Sequence, residues 1–327
     1  MAGCTVNNEG RDRTVSKWRV SDIPSQAGKT AIITGGNSGI GYEAARALAA
    51  KGARVILAVR SADKGQRAAA AIRQETPGAA VDVMPLDLAD LGSVRRFAEA
   101  FLSRGEPLPL LLNNAGVMDL PYHTTPDGFE VHFGTNHLGH FALTGHLLPA
   151  ILAAPGARVV TVSSMMHLRG QIDFDNLNGK LGYDAYSQSK LANVLFAYEL
   201  QRQFAAHHAA ALSVACHPGY AATNLQHAGP RMAGARVRGV VMRVANRLFA
   251  QSAAMGALPT LYAAIAPGVN GCDYIGPTGM GGSRGAPGKV RSSQASYDEA
   301  LGRRLWQVSE ELTGVRYTFP TPEAVTP

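Results

Sequence analysis

Short apolar runs without polar alternation recur along this chain, and a stretch with helical spacing follows most of them. The runs are Thr30–Thr34 (TAIIT), Arg54–Val59 (RVILAV), Val81–Leu86 (VDVMPL), Leu108–Leu112, Arg158–Ser163 (RVVTVS) and Leu212–Cys216 (LSVAC). Between them Ile40–Lys51, Asp63–Glu75, Ser93–Ser103, Phe129–Leu152 and Tyr186–Phe204 read as helices. Strands that stay apolar on both faces belong in a parallel sheet covered on both sides. Right-handed crossovers then wind the chain into a doubly wound α/β sandwich. After Pro218 the alternation stops. Gly219–Gly234 reads as loop, Val237–Phe249 as a basic amphipathic helix and Ser252–Ala264 as a further helix. Cys272–Ile275 supplies a seventh strand, Gly276–Ser292 is a Gly- and Pro-rich connection, and Tyr297–Thr313 closes as an amphipathic helix. The expected organisation is an N-terminal arm (1–27), pinned by Trp18, Val20 and Ile23, and one domain over 28–275. A C-terminal extension (276–327) then packs its last helix on that domain.

The first strand runs into Thr34-Gly35-Gly36-Asn37-Ser38-Gly39-Ile40-Gly41 before its helix begins. Glycines there let backbone N–H groups approach a diphosphate at the helix N-terminus, where the dipole and orphan donors favour an anion. The spacing is G-x-x-x-G-x-G rather than the more common G-x-G-x-x-G.

That turn resembles the one in the short-chain dehydrogenase/reductase family, and further motifs follow in the family's order. Asn113-Asn114-Ala115-Gly116 ends the fourth strand, Asp87-Leu88 follows the third, and Asn136 lies in Thr135-Asn136-His137-Leu138-Gly139-His140. Ser164 ends Val162-Ser163-Ser164, Tyr186 and Lys190 form Y-x-x-x-K, and Pro218-Gly219 opens P-G-x-x-x-T with Thr223. The resemblance covers roughly Lys29–Thr223. The texture of Ser187–Phe196 and of His217-Pro218-Gly219 is similar to the retinol dehydrogenase-like branch and its bacterial relatives. It implies a Rossmann-type catalytic domain whose substrate lid spans about 220–250, and a catalytic set of Asn136, Ser164, Tyr186 and Lys190. It also implies dinucleotide contacts from Gly35, Asn37, Ser38, Gly39, Ile40, Gly41, Arg60, Asp87, Leu88, Asn114, Ala115, Gly116, Tyr186, Lys190, Pro218, Gly219 and Thr223. Choosing Ser164 over Ser163 rests on the resemblance alone.

The chemistry follows from charge. A tyrosine with a pKa of roughly 10 is a poor base at neutral pH. Lys190, four residues after Tyr186, projects from the same helix face, and its ammonium together with an oxidised nicotinamide favours the phenolate. Ser164 donates to the substrate oxygen, and Asn136 holds a water that links Lys190 to solvent. Residues Met165–Ala185 read as an insertion walling the substrate pocket, with His167 and Tyr220 as further lining residues. The second strand ends at Val59 with Arg60 next, where an acid would select NAD. A guanidinium pairs with a 2′-phosphate, so NADP is the expected cofactor and NAD the second choice.

Composition narrows the alternatives. The 31 Lys and Arg against 24 Asp and Glu are scattered, without the basic stripe that a nucleic-acid partner needs. Cys4, Cys216 and Cys272 are too far apart for a disulfide scaffold or thiolate zinc site and suit a reducing cytosol, so a cytoplasmic location is expected. His132, His137, His140 and His146 lack the rest of a ligand set, so no metal is expected and packing roles are favoured. No run is long enough to span a membrane. The helix at 237–249 is read as a lid, as a lid that also touches a membrane surface, or as an oligomer contact. The partners expected are a small apolar alcohol or carbonyl compound, such as a retinoid, steroid or lipid-derived carbonyl, and a second copy of the chain. The alternative function is a non-catalytic dinucleotide sensor or interaction protein on the same fold.

Overall fold

A computed structural model describes residues 18–179, 184–220 and 251–320. Eight strands form one sheet in the order β3-β2-β1-β4-β5-β6-β7-β8. They are β1 (Thr30–Thr34), β2 (Arg54–Val59), β3 (Val81–Pro85), β4 (Leu110–Asn113), β5 (Ala157–Val162), β6 (Ala211–Cys216), β7 (Tyr274–Gly279) and β8 (Arg284–Val290). All pairs are parallel except β7 with β8. Helices α1 (Gly39–Ala50), α2 (Ala62–Glu75) and α7 (Ala253–Ile265) contribute to the core on one face. Helices α3 (Leu91–Leu102), α5 (Gly139–Leu152), α6 (Ala185–Ala206) and α8 (Glu299–Thr313) contribute to the core on the other. The apolar strand runs are thus explained: Ile32, Ile33, Val55, Ile56, Leu57, Leu111 and Leu112 have no water on either side.

The sheet has one strand more than expected. Arg284–Val290 (RGAPGKV) reads as loop because it offers neither an apolar run nor alternation, yet it is the antiparallel edge beside β7. Pro287 is tolerated there because an edge strand turns one row of its backbone groups away from the ladder. Pro85 is likewise carried by the opposite edge, β3. A domain boundary at 275 has no counterpart, since β7 crosses it and β8 extends the same sheet.

The long helix expected from Phe129 is also different. A single turn, α4 (Val131–Phe133), leads into a π turn (Gly134–Leu138) and then α5. Glu130 starts it by accepting from the backbone N–H groups of His132 and Phe133, at 2.9 and 2.8 Å. Apolar spacing cannot report the π turn, because residues 130–145 are all buried and present no polar face whose phase would shift.

Of the arm, Trp18 packs edge-on against Tyr262 and Ile23 is buried, whereas Val20 is exposed. Helix α8 packs against α6, and Trp306 and Tyr317 cover Phe141 of α5. Cys216 is a free, buried thiol. Among the described residues, no helix is long and apolar enough to cross a membrane. The lid at 221–250, its helix 237–249 and Thr223 lie outside the described residues.

Candidate active site

At the C-terminal end of β1 the chain turns twice through left-handed backbone, at Gly35 (φ 66°) and Gly39 (φ 56°), conformations that favour glycine. Bareness is enforced as well as permitted. A Cβ on Gly41 would lie 2.5 Å from Asn114 Nδ2 and 2.6 Å from the Gly35 carbonyl oxygen. Ser38 opens α1 without a side-chain cap, so the first N–H groups of that helix are not spoken for by it. These features fit a diphosphate: bare glycines, an uncapped helix start, and no carboxylate among the residues of the turn.

Thr34 holds the neighbouring loop against this turn. Its hydroxyl oxygen accepts from the Asn114 and Ala115 backbone N–H groups, both at 2.9 Å, and its carbonyl accepts from Asn114 Nδ2 at 2.8 Å. Asp87 is half-buried, and its carboxylate accepts from the Ala89 N–H. The Leu88 side chain is buried in the core, which leaves only its backbone for a ligand. Arg60 directly follows β2 and is exposed. Ser61 caps α2 by accepting from the Lys64 N–H. Gly219 has φ 67° and room for no side chain, because a Cβ would meet the Ser283 carbonyl.

The second group gathers at the end of β5. Asp184 caps α6, accepting from the backbone N–H and the hydroxyl of Ser187, and so fixes the first turn that carries Tyr186. The Ser164 side chain acts on the Tyr186 phenol and favours its ionised form. The Lys190 ammonium lies 5.7 Å from the centre of the Tyr186 ring and donates to the Val162 carbonyl at 3.2 Å. The two serines divide: the Ser163 hydroxyl donates to the Lys190 carbonyl at 2.7 Å, and the Ser164 side chain acts on the phenol. Gly116 closes the group, since a Cβ there would lie 3.2 Å from Asn136 Oδ1 and 3.4 Å from Lys190 Nζ.

Burial pushes the phenol of Tyr186 up to about 12, against the lowering effect of Ser164, and pushes the Lys190 ammonium down to about 8. Lowering the phenol towards working pH calls for positive charge beside it, which the Lys190 ammonium 5.7 Å from the ring supplies when protonated.

Asn136 sits in the π turn, fully buried. Its Nδ2 donates to the Val117 carbonyl and Ser189 Oγ, and its Oδ1 accepts from the Val117 N–H at 2.7 Å. With both Nδ2 protons spent, a water at this residue has to donate to the remaining lone pair of Oδ1 or of the backbone carbonyl. His167 is buried with both ring nitrogens in use: Nδ1 donates to the Ser164 carbonyl at 2.6 Å, and Nε2 accepts from the Ser293 N–H at 3.0 Å. It clamps the loop after β5 to the C-terminal segment. Tyr220 is partly exposed, and its backbone bridges Ser283 and Gln251.

The histidines read from the sequence as a packing group have separate tasks. His132 pairs with buried Glu130 at 2.6 Å and sets its ring edge-on against Tyr186. His137 reaches Ser309 of α8, and His140 reaches Thr34. The hydrogen-bond partners of their ring nitrogens tell these tasks apart, and spacing carries no trace of them. Among the described residues, no three His, Cys, Asp or Glu gather as a metal site.

A doubly wound sheet with a bare glycine turn and a Ser–Tyr–Lys group at its C-terminal edge defines a dinucleotide-dependent oxidoreductase architecture. The short chain dehydrogenase family model matches residues 29–233. Retinol dehydrogenase 13 of Homo sapiens is 41% identical over 89% of this chain and 87% of its own length. Polyprenol dehydrogenase of Danio rerio is 39% identical over 91% of each. A protein from Mycobacterium paratuberculosis of known crystal structure is 42% identical, with a TM-score of 0.76 over 93% of this chain and 100% of that one. The chain belongs to the short-chain dehydrogenase/reductase family.

Proposed function

We propose that this protein is an NADP-dependent oxidoreductase that interconverts an apolar alcohol and its aldehyde or ketone. The observation that carries the reading is the Tyr186 phenol under the influence of Ser164 with the Lys190 ammonium 5.7 Å from its ring, adjoining a glycine turn fitted to a diphosphate. NADP, when bound, takes or gives the hydride.

The chain's own residues do the rest. Gly35, Asn37, Ser38, Gly39, Ile40 and Gly41 receive the diphosphate on backbone N–H groups. Asp87, the Leu88 backbone and Asn114–Gly116 border the nucleoside half, and Pro218 and Gly219 border the nicotinamide half. Lys190 holds ribose hydroxyls and its charge favours the phenolate, Ser164 donates to the substrate oxygen, and Tyr186 gives or takes its proton. Arg60 supports the choice of NADP, because it is exposed at the end of β2 where an acidic residue would repel a 2′-phosphate.

An apolar substrate is supported from two sides. Leu168, Tyr220 and Met280 expose large apolar side chains just beyond β5, β6 and β7, on the side where ligands of such sheets bind. The named relatives act on retinol and polyprenol, both long apolar alcohols. Absorbance assays of retinaldehyde and simpler aldehydes with each cofactor test the reading. Arg60→Ala should raise the KM for NADPH about tenfold, the size of one charged contact, and leave the KM for NADH unchanged. Equal effects on both would remove the cofactor assignment.

A further inference from the structure

His140 sits one helical turn beyond Asn136, on the last stretch of chain before α5 enters the core, and it is 1% exposed. Both ring nitrogens are engaged. Nδ1 lies 2.9 Å from the Asn136 carbonyl oxygen and Nε2 2.9 Å from Thr34 Oγ1. A carbonyl can only accept, so Nδ1 carries the hydrogen. Nε2 is then an acceptor, and Thr34 spends its single proton on it rather than on the Leu112 carbonyl at 3.3 Å. Burial pushes the ring down to about 4, so it stays neutral at working pH with this direction of donation intact.

The result is a buried line of hydrogen bonds. It starts at the Asn114 and Ala115 N–H groups beside the glycine turn and passes through Thr34 and His140 to the Asn136 carbonyl. From Asn136 the side chain continues to Ser189, the residue before Lys190. We propose that His140 is a positioning residue that couples the dinucleotide turn to the Asn136 π turn. The ring sets the carbonyl of Asn136 and the hydroxyl of Thr34 at once, so the cofactor loop and the proton-handling end of α6 are held in one register. This inference rests on the reading of the protein as an NADP-dependent oxidoreductase. It adds a residue that touches neither substrate nor cofactor.

Two variants separate the ends of the link. In His140→Asn the side-chain amide falls near the Nδ1 position, where it can still donate to Asn136 but no longer reach Thr34. In His140→Gln the amide oxygen reaches towards Nε2, where it can accept from Thr34 while the donation to Asn136 is lost. NADPH binding is read by fluorescence titration and turnover with retinaldehyde as the probe. His140→Gln should lower kcat about tenfold with NADPH affinity near that of the wild type. His140→Asn should weaken NADPH binding by a similar factor with the smaller loss in kcat, each being the loss of one buried hydrogen bond. Thr34→Val with His140→Phe closes a cycle, and Thr34→Val should cost less in the His140→Phe background than in the wild type. Thr34→Val can be read by itself if the His140 variants do not fold, and it should lower kcat as well as affinity. The coupling is overturned if both His140 variants bind and turn over like the wild type, if they lose both parameters equally, or if Thr34→Val weakens affinity alone. A wild-type protein that does not bind NADPH would instead defeat the functional reading beneath it.

Discussion

The two ends of the site solve opposite problems. Around Gly35–Gly41 the fold removes side chains so that backbone N–H groups are left bare, and a single methyl on Gly41 would strike Asn114 and Gly35. Around Ser164, Tyr186 and Lys190 the fold crowds in side chains and buries them until their proton affinities move, to about 12 for Tyr186 and about 8 for Lys190. The first end binds by shape and dipole, which a glycine pattern announces. The second acts through groups whose behaviour depends on what surrounds them, which no local pattern announces.

Substitutions should break the two ends differently. Tyr186→Phe should lower turnover by about 10²–10⁴, the usual worth of a positioned proton donor, and leave NADPH binding near wild type. Retained turnover would mean that another group handles the proton. Gly41→Ala should act the other way, weakening NADPH binding about tenfold or more by crowding the turn, with the smaller change in kcat once cofactor saturates. An unchanged Kd would show that the bare turn is not where the diphosphate sits.

The smallest effect is on stability. Burial holds His137 at about 3, and His140 and His217 at about 4, against an ordinary value of 6.5. The unfolded chain therefore takes up protons first as pH falls, so stability present above about 6.5 is lost progressively towards pH 4. The Tm should drop across that window. A Tm that stays level would mean these rings are not held neutral by the fold.

Much of this was legible before any coordinates. The strands β1, β2, β5 and β6 announce themselves because a strand buried on both faces has no polar position to interrupt it. Tyr186 and Lys190 are legible because four residues on a helix is one face. What was hidden has physical reasons. Strand β8 is held by its backbone pairing with β7, and RGAPGKV carries no side-chain signature of that. The π turn lies within residues 130–145, which are all buried and present no polar face whose phase would shift. In sequence His140 reads as a packing histidine and His167 as a pocket-lining one, because their partners Thr34 and Ser293 lie 106 and 126 residues away. Patterning reports which face is buried and is silent on what a buried polar atom meets there.

The central claim is that a hydride passes between NADPH and an apolar carbonyl carbon at the Ser164–Tyr186–Lys190 group. The most direct measurement uses wild-type protein, NADPH deuterated on the transferred position of the nicotinamide, and retinaldehyde in ordinary water, with the product analysed by mass spectrometry. The account predicts an alcohol carrying the deuterium on its new C–H bond. An unlabelled alcohol, or NADPH that binds and is never consumed by any aldehyde or ketone offered, would contradict it.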